Sequence, residues 1–238
     1  VAASIDLLVL SADILDDIQD QDNFSAPWHQ VKHEITINIA TALLLLSKQI
    51  IDNVNAEQSK VIIDLFYTSI YKSISGQNKD LHNERLSEQE YISLIKMKSG
   101  SLTALACLMG SYFAEHTITT CTIEKYGELL GVIAQIYNDL RDLLSFGNKN
   151  DIKNKKVTFP IIYMLSMENN LLKNYYNNLI DYKELVNRKE EMLLECEKLG
   201  MIHYTRVFCE FQKQEALDLL GSMDVNQSYK KRLAACFI

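Results

Sequence analysis

Four acids, Asp13, Asp16, Asp17 and Asp20, follow the apolar run 5–10 at spacings of three and four residues. At about 100° per residue they fall within roughly one third of a helix circumference. Like charges at those spacings repel on a bare helix, so a chain that gathers them on one stripe implies a cation beside it. About 120 residues later, Gln135, Asn138, Asp139 and Asp142 repeat the pattern. Two oxygen-rich stripes on separate helices constrain the fold: they belong together when the helices face each other across a bundle. Carboxylate and amide oxygens suit a hard ion such as Mg²⁺, which keeps several waters and takes phosphate oxygens as further ligands. The pair therefore predicts a small set of Mg²⁺ ions and one diphosphate between two helices. The plain alternative is that each stripe is a solvated acidic face.

Everything around the stripes also reads as helix. Two Pro and 8 Gly leave few turn signals, while Leu, Ile, Lys, Glu and Asn fill long unbroken stretches. Helices are expected at 2–22, 30–52, 56–81, 88–114, 122–146, 157–178, 182–199, 202–222 and 227–236, with Pro160 in a first turn, where proline is tolerated. No strand, repeat, low-complexity tract or interdomain linker stands out. With 238 residues and 47% of them apolar, one core suffices. The fold class expected is all-α, a single domain over 1–238. The chain opens Val1-Ala-Ala-Ser, without methionine and already in an apolar helical pattern. That opening suggests further helices upstream. Several glycines lie inside helical patterns, Gly76, Gly100, Gly110, Gly127 and Gly131 among them, and close packing or room for a ligand would explain them.

Several function classes recede. A net charge of −7 disfavours nucleic acid and anionic membranes as partners. The five cysteines form no CxxC pair, which fits reduced thiols and a cytoplasmic location. No signal peptide is apparent. The apolar stretch 35–51 is interrupted by Thr36, Asn38, Thr41, Ser47 and Lys48, so no transmembrane segment is expected. Its apolar positions run nearly all round the helix, as in a central core helix or at a subunit interface. The histidines show no metal spacing. The polar stretch 148–156 carries four lysines and reads as a loop, either solvated or closing over a diphosphate.

Beyond this point the residues resemble a family. Asp16-Asp17-x-x-Asp20 and Asn138-Asp139-x-x-Asp142 resemble the two aspartate-rich motifs of the trans-prenyl diphosphate synthases. Gly76-Gln77-x-x-Asp80, Lys98-Ser99-Gly100 and Lys156-x-Thr158-x-Pro160 resemble that family's smaller motifs, in the same order. Two departures matter. Elongating synthases carry an Arg-Arg pair after the first motif, where this chain has Asp22-Asn-Phe-Ser-Ala-Pro-Trp28. The second motif begins with Asn138 instead of Asp. Without the arginines the site for a second, anionic diphosphate is poorer, and an uncharged acceptor becomes plausible. Taken together these features are similar to the ComQ-type bacterial prenyltransferases, which modify a tryptophan in a quorum-sensing pheromone precursor.

The resemblance implies an isoprenoid-synthase bundle around a central apolar cavity and a homodimer. It implies Mg²⁺ bound by Asp16, Asp17 and Asp20 facing Asp139 and Asp142. Lys98 and Lys156 would neutralise diphosphate oxygens, with Lys149 a weaker candidate, and Gln77, Gln135 and Asn138 would give neutral contacts. Asp80 is a candidate for the second metal face. The substrates implied are an allylic prenyl diphosphate, geranyl or farnesyl, and a tryptophan-containing precursor peptide. Ser11 and Ala12 occupy positions that set chain length in the family; both are small, so a fifteen-carbon donor is not excluded. Packing against a neighbouring helix would explain them equally. Trp28 reads as an anchor or as part of the acceptor entrance. The rival readings are a chain-elongating synthase, a non-catalytic synthase subunit and a terpene cyclase.

Overall fold

The computed structural model describes residues 1–21, 23–53, 59–82, 85–113, 120–146 and 151–237. Among them the regular elements are all helical. In order they are α1 (Ala2–Asp20), a 3-10 turn (Pro27–Gln30), α2 (His33–Asp52), α3 (Ser59–His82), α4 (Glu88–Ile95), a π turn (Lys96–Gly100) and α5 (Ser101–Tyr112). The long helix α6 (Thr120–Ser145) follows. Then come α7 (Phe159–Ser166), α8 (Leu171–Tyr176), α9 (Tyr182–Asn187), α10 (Lys189–Lys198), α11 (Met201–Ser222) and α12 (Gln227–Ala234).

Three of the expected rods are broken, each for a local reason. The rod at 88–114 is interrupted by the π turn, in which one residue more than usual is wound into the helix. The rod at 157–178 stops at Ser166. There the buried Asn170 side chain donates to the Met164 carbonyl at 2.9 Å and caps α8 through the Lys173 N–H. The rod at 182–199 is interrupted at Arg188, whose φ of −109° and ψ of 24° leave helical geometry.

α1 shows how a short sequence pattern sets its packing. Its buried stripe is Ser4, Leu8, Ser11 and Ile14, the three-and-four spacing of one helix face. Ser4 donates to the Ser47 carbonyl at 2.8 Å, Ser47 returns a bond to the Ser4 carbonyl at 2.7 Å, and Ser11 donates to the Ala40 carbonyl at 2.8 Å. Small hydroxyls thus bring α1 and α2 together with their polar groups satisfied. On the same stripe, Leu8 joins Phe66 of α3 and Leu105 and Met109 of α5 in one core cluster.

α6 is the central rod. Its apolar face packs with α4, α5 and α11 through Ile95, Leu108, Val132, Ile136 and Cys209. Two glycines permit the closest approaches. A Cβ on Gly131 would stand 2.7 Å from Gly100 Cα, and one on Gly76 would stand 2.5 Å from the Lys98 backbone nitrogen. These contacts seat the π turn against both α3 and α6.

α2 behaves differently. Ile35, Ile39, Leu45 and Leu46 are exposed along it, Leu45 at 65%. By length and hydropathy alone, α2 and the rod Glu88–Tyr112 are long and apolar enough to cross a membrane, contrary to the expectation drawn from the interruptions in 35–51. The second rod is half buried in the bundle. The five cysteines are free thiols.

Candidate active site

α1 ends at Asp20, with Gln21 in left-handed conformation and no basic residue in its last turn. Three acids therefore crowd the negative end of a helix dipole, an arrangement that requires compensating cations. Two lysines supply them. Lys98, on the π turn, lies 2.8 Å from Asp16 Oδ1 and 2.8 Å from Asp80 Oδ2. Lys156, after the polar stretch, lies 2.5 Å from Asp20 Oδ2 and 3.2 Å from Asp80 Oδ2. The result is a ladder Asp16–Lys98–Asp80–Lys156–Asp20, with Asp80 of α3 as the shared rung.

The ladder's protonation follows from geometry. Burial raises the Asp80 carboxyl, but Lys156 and Lys98 outweigh it and hold Asp80 below the usual aspartate value. Burial works against the Lys156 ammonium, yet Asp80, Asp20 and Asp151 keep it well above the ordinary lysine value. Lys98 is likewise raised against its burial, chiefly by Asp16. Asp20 pairs with Lys156, and burial, with the nearby Asp16 charge, outweighs Lys156 and the more distant Lys98 and leaves it raised.

Asp17 is held otherwise. Its Oδ2 accepts from Trp28 Nε1 and from Asn23 Nδ2, both at 2.8 Å. Pro27 opens the 3-10 turn that carries Trp28, and the Trp28 carbonyl accepts from the buried Thr36 hydroxyl at 3.0 Å. Asp16, Asp17 and Trp28 line a cleft of about 390 Å³ with Ser11, Ala12, Gln77, Lys98, Gln135 and Asn138. Leu8, Leu44, Ile70 and Leu102 form its apolar part. The expected apolar cavity is thus a cleft of mixed lining, polar where the acids sit.

The second acidic stripe is arranged unlike the first. Gln135 and Asn138 reach the cleft, but Asp139 and Asp142 are not among its lining residues. Asp139 is buried and accepts from the Tyr91 hydroxyl at 2.5 Å and from Gln135 Nε2 at 3.0 Å. Burial pushes its pKa up to about 6, against the pull of those two hydrogen bonds. Gln135 in turn accepts from the Ser99 hydroxyl at 2.9 Å, which ties α6 to the π turn. Asp142 is half-buried.

This corrects two expectations. The acids of the two helices are not opposed carboxylate to carboxylate, because α6 offers neutral amides to the cleft and turns Asp139 inward. Lys98 and Lys156 sit on aspartates, since those carboxylates are the anions within reach. Of the polar stretch 148–156, residues 148–150, and with them Lys149, lie outside the described residues. Lys156 is the lysine of that stretch that joins the ladder; Lys155 instead stands over the Tyr175 ring and donates to Asn178. Sequence reasoning missed Asn23 and Tyr91. Tyr91 stands seven residues before Lys98, two helical turns, which is the one signal that pointed to it.

The donor set fits Mg²⁺. All candidate ligands are oxygens, as hard cations require. Asp16 Oδ1 and Gln77 Oε1 are buried and accept no hydrogen bond; Lys98 approaches the former as an ion pair without hydrogen-bond alignment. Asp17 Oδ1 carries no hydrogen bond among the described residues. No group of three or more acids, histidines or cysteines forms a ready-made metal cage among the described residues. That matches an ion held by one or two carboxylates with water and phosphate completing its shell.

With fold and site in view, comparison with known proteins places the chain. The polyprenyl synthetase family model matches residues 1–195, and the chain belongs to that family. It is a prenyltransferase. Within the family it is similar to tryptophan prenyltransferase ComQ of Bacillus subtilis subsp. natto, 33% identical over 98% of this chain and 72% of that one. ComQ of B. subtilis strain 168 is 29% identical over 100% of this chain and 79% of its own. Among solved structures, the fold is similar to geranylgeranyl pyrophosphate synthetase from Pyrococcus horikoshii, with a TM-score of 0.83, 18% identity and coverage of 98% and 75%. A polyprenyl synthetase from Streptomyces coelicolor gives a TM-score of 0.79 at 20% identity over 98% and 75% of the two chains. These confirm the isoprenoid-synthase type of all-α fold.

Proposed function

We propose that the cleft binds an allylic diphosphate and transfers its prenyl group to a tryptophan of a precursor peptide, as the likeness to ComQ suggests. The observation that carries the reading is the convergence of Asp16, Asp17 and Lys98 with Gln135 and Asn138 on one cleft whose other wall is apolar. Asp16 and Asp17 would hold Mg²⁺ from α1, where they line the cleft; Asp20, Asp139 and Asp142 lie outside its lining and would support the site from behind. When bound, Mg²⁺ supplies Lewis-acid stabilisation of the departing diphosphate. Lys98, which lines the cleft, would meet the remaining diphosphate oxygens by charge, with Lys156 behind it across Asp80. Gln77, Gln135 and Asn138 orient the headgroup through neutral contacts. Ser11 and Ala12 leave depth beside Leu8 and Leu44 for a geranyl or farnesyl chain. Among the described residues that line the cleft Lys98 is the one lysine or arginine, which favours an uncharged acceptor over a second diphosphate.

The test is incubation with Mg²⁺ and geranyl or farnesyl diphosphate, adding isopentenyl diphosphate, a tryptophan-bearing peptide, or nothing. Mass-shifted peptide supports the reading. A longer diphosphate, a hydrocarbon or no turnover supports in turn the elongating synthase, the cyclase or the non-catalytic subunit. Ala12→Phe should shift preference toward the shorter donor. The exposed apolar face of α2 fits a second copy of the chain, in line with the expected homodimer. Leu45→Glu with Leu46→Glu should then halve the mass seen by light scattering. The acidic balance and the free thiols agree with a cytoplasmic location, which fractionation would check.

A further inference from the structure

We propose that Trp28 is a positioning residue for the metal site: its indole N–H fixes Asp17 so that one carboxylate oxygen alone is offered to Mg²⁺. The proposal rests on the reading above, in which Asp17 is a metal ligand. Both donors, Trp28 Nε1 and Asn23 Nδ2, land on the same oxygen, Oδ2, at 2.8 Å. Oδ1 has no hydrogen-bond donor among the described residues, while Asp17 lines the cleft. Mg²⁺ demands near-ideal octahedral geometry with few carboxylates. A carboxylate pinned by one oxygen meets that demand, whereas a freely rotating one spends time in bidentate or averted poses.

The indole is itself held firmly. The Trp28 carbonyl accepts from Thr36, which is 1% exposed, and Pro27 fixes the turn from the other side. Asn23 has a φ of 51°, a left-handed conformation that asparagine tolerates better than most residues, and its carbonyl closes the turn onto the Ala26 N–H at 2.9 Å. The segment after the first acidic stripe is thus built around delivering two N–H groups to a single oxygen. Outer-layer donors of this kind alter metal affinity or activity by about 10–100-fold when removed.

Trp28 is the one tryptophan in the chain, so its fluorescence reports on this bond directly. The experiment titrates the full chain with Mg²⁺ in the presence of inorganic pyrophosphate, by calorimetry and by tryptophan emission. The wild type should bind, with an emission change that saturates at the calorimetric midpoint. Trp28→Phe, which keeps a ring but loses the N–H, should raise the Mg²⁺ midpoint about 10–100-fold. Asn23→Ala should move the midpoint in the same direction, and it decides the matter with the wild-type emission if Trp28→Phe does not fold. Absence of calorimetric binding by the wild type overturns both the metal reading and this proposal. Binding with silent emission and unmoved variant midpoints overturns this proposal alone. So does an unmoved midpoint with a raised peptide KM, which would make Trp28 a wall of the acceptor site.

Discussion

The two acidic stripes have nearly the same sequence pattern and opposite physical solutions. On α1, Asp16 and Asp20 stand at a helix C-terminus and are matched by the ammonium groups of Lys98 and Lys156, with Asp80 between them. On α6, Asp139 is buried and matched by neutral donors, Tyr91 and Gln135. The first stripe keeps its charge by pairing it. The second holds its charge less firmly, with burial raising the Asp139 pKa to about 6. Oxygen-bearing residues at identical spacing therefore say which face is oxygen-rich, and the neighbours decide how firmly its carboxylates keep their charge.

The most severe break in this contrast is Asp80→Asn. It removes the shared rung and leaves two buried ammonium groups with one carboxylate each. Loss of one partner from a buried charge network costs about 3–5 kcal/mol, to be read from the denaturant midpoint of the variant. Asp17→Asn tests the cleft side. It should leave the fold intact and lower prenyl transfer on the order of 10³-fold, since several kcal/mol of leaving-group stabilisation go with the metal site; steady-state assay with varied Mg²⁺ checks it.

pH separates the stripes by sign. The folded pKa of Asp80 is lowered, so its contribution is present above the unfolded value and is lost as pH falls. The folded pKa of Asp139 is raised from 3.8 to about 6, so its contribution is full below the unfolded value and declines as pH rises between them. Across that window in metal-free buffer, wild type should lose about 3 kcal/mol relative to Asp139→Asn. Equal pH slopes for the two proteins would show that Asp139 is solvated. The mildest test is Tyr91→Phe, which removes one bond to a carboxyl. It should destabilise by about 2 kcal/mol and raise the apparent pKa of Asp139 further, seen as a shift of the same window to higher pH.

Much of this was legible in the sequence. The scarcity of Gly and Pro gave an all-α chain, and three-and-four spacing placed Asp16 and Asp17 on one face and Gln135 and Asn138 on another. Lys98, Gln77 and Lys156 were legible through the motifs around them. The break at Arg188 was not, because arginine suits a helix and a local dihedral sets the break; the break at Asn169-Asn170 does carry a turn and N-cap signal, outweighed by the apolar pattern on either side of it. The ladder was illegible for a different reason: Asp80, Lys98 and Lys156 come from three elements, and only tertiary packing decides that lysine meets aspartate there. The inward turn of Asp139 depends on Tyr91 of α4, a partner that only tertiary packing brings to α6.

The π turn at Lys96–Gly100 has one more consequence. A wide turn holds a surplus residue, so excising one there would restore the ordinary α period with the flanking coils still in register, whereas a deletion elsewhere in the rod rotates whatever follows by about 100°. Lys98 looks to α1 and α3 while its neighbour Ser99 looks to α6, a divergence that an unwidened coil would redistribute. A scan of single-residue deletions along Glu88–Tyr112 should accordingly find those five positions the least damaging to stability, with the cost falling on the aim of Lys98 and Ser99.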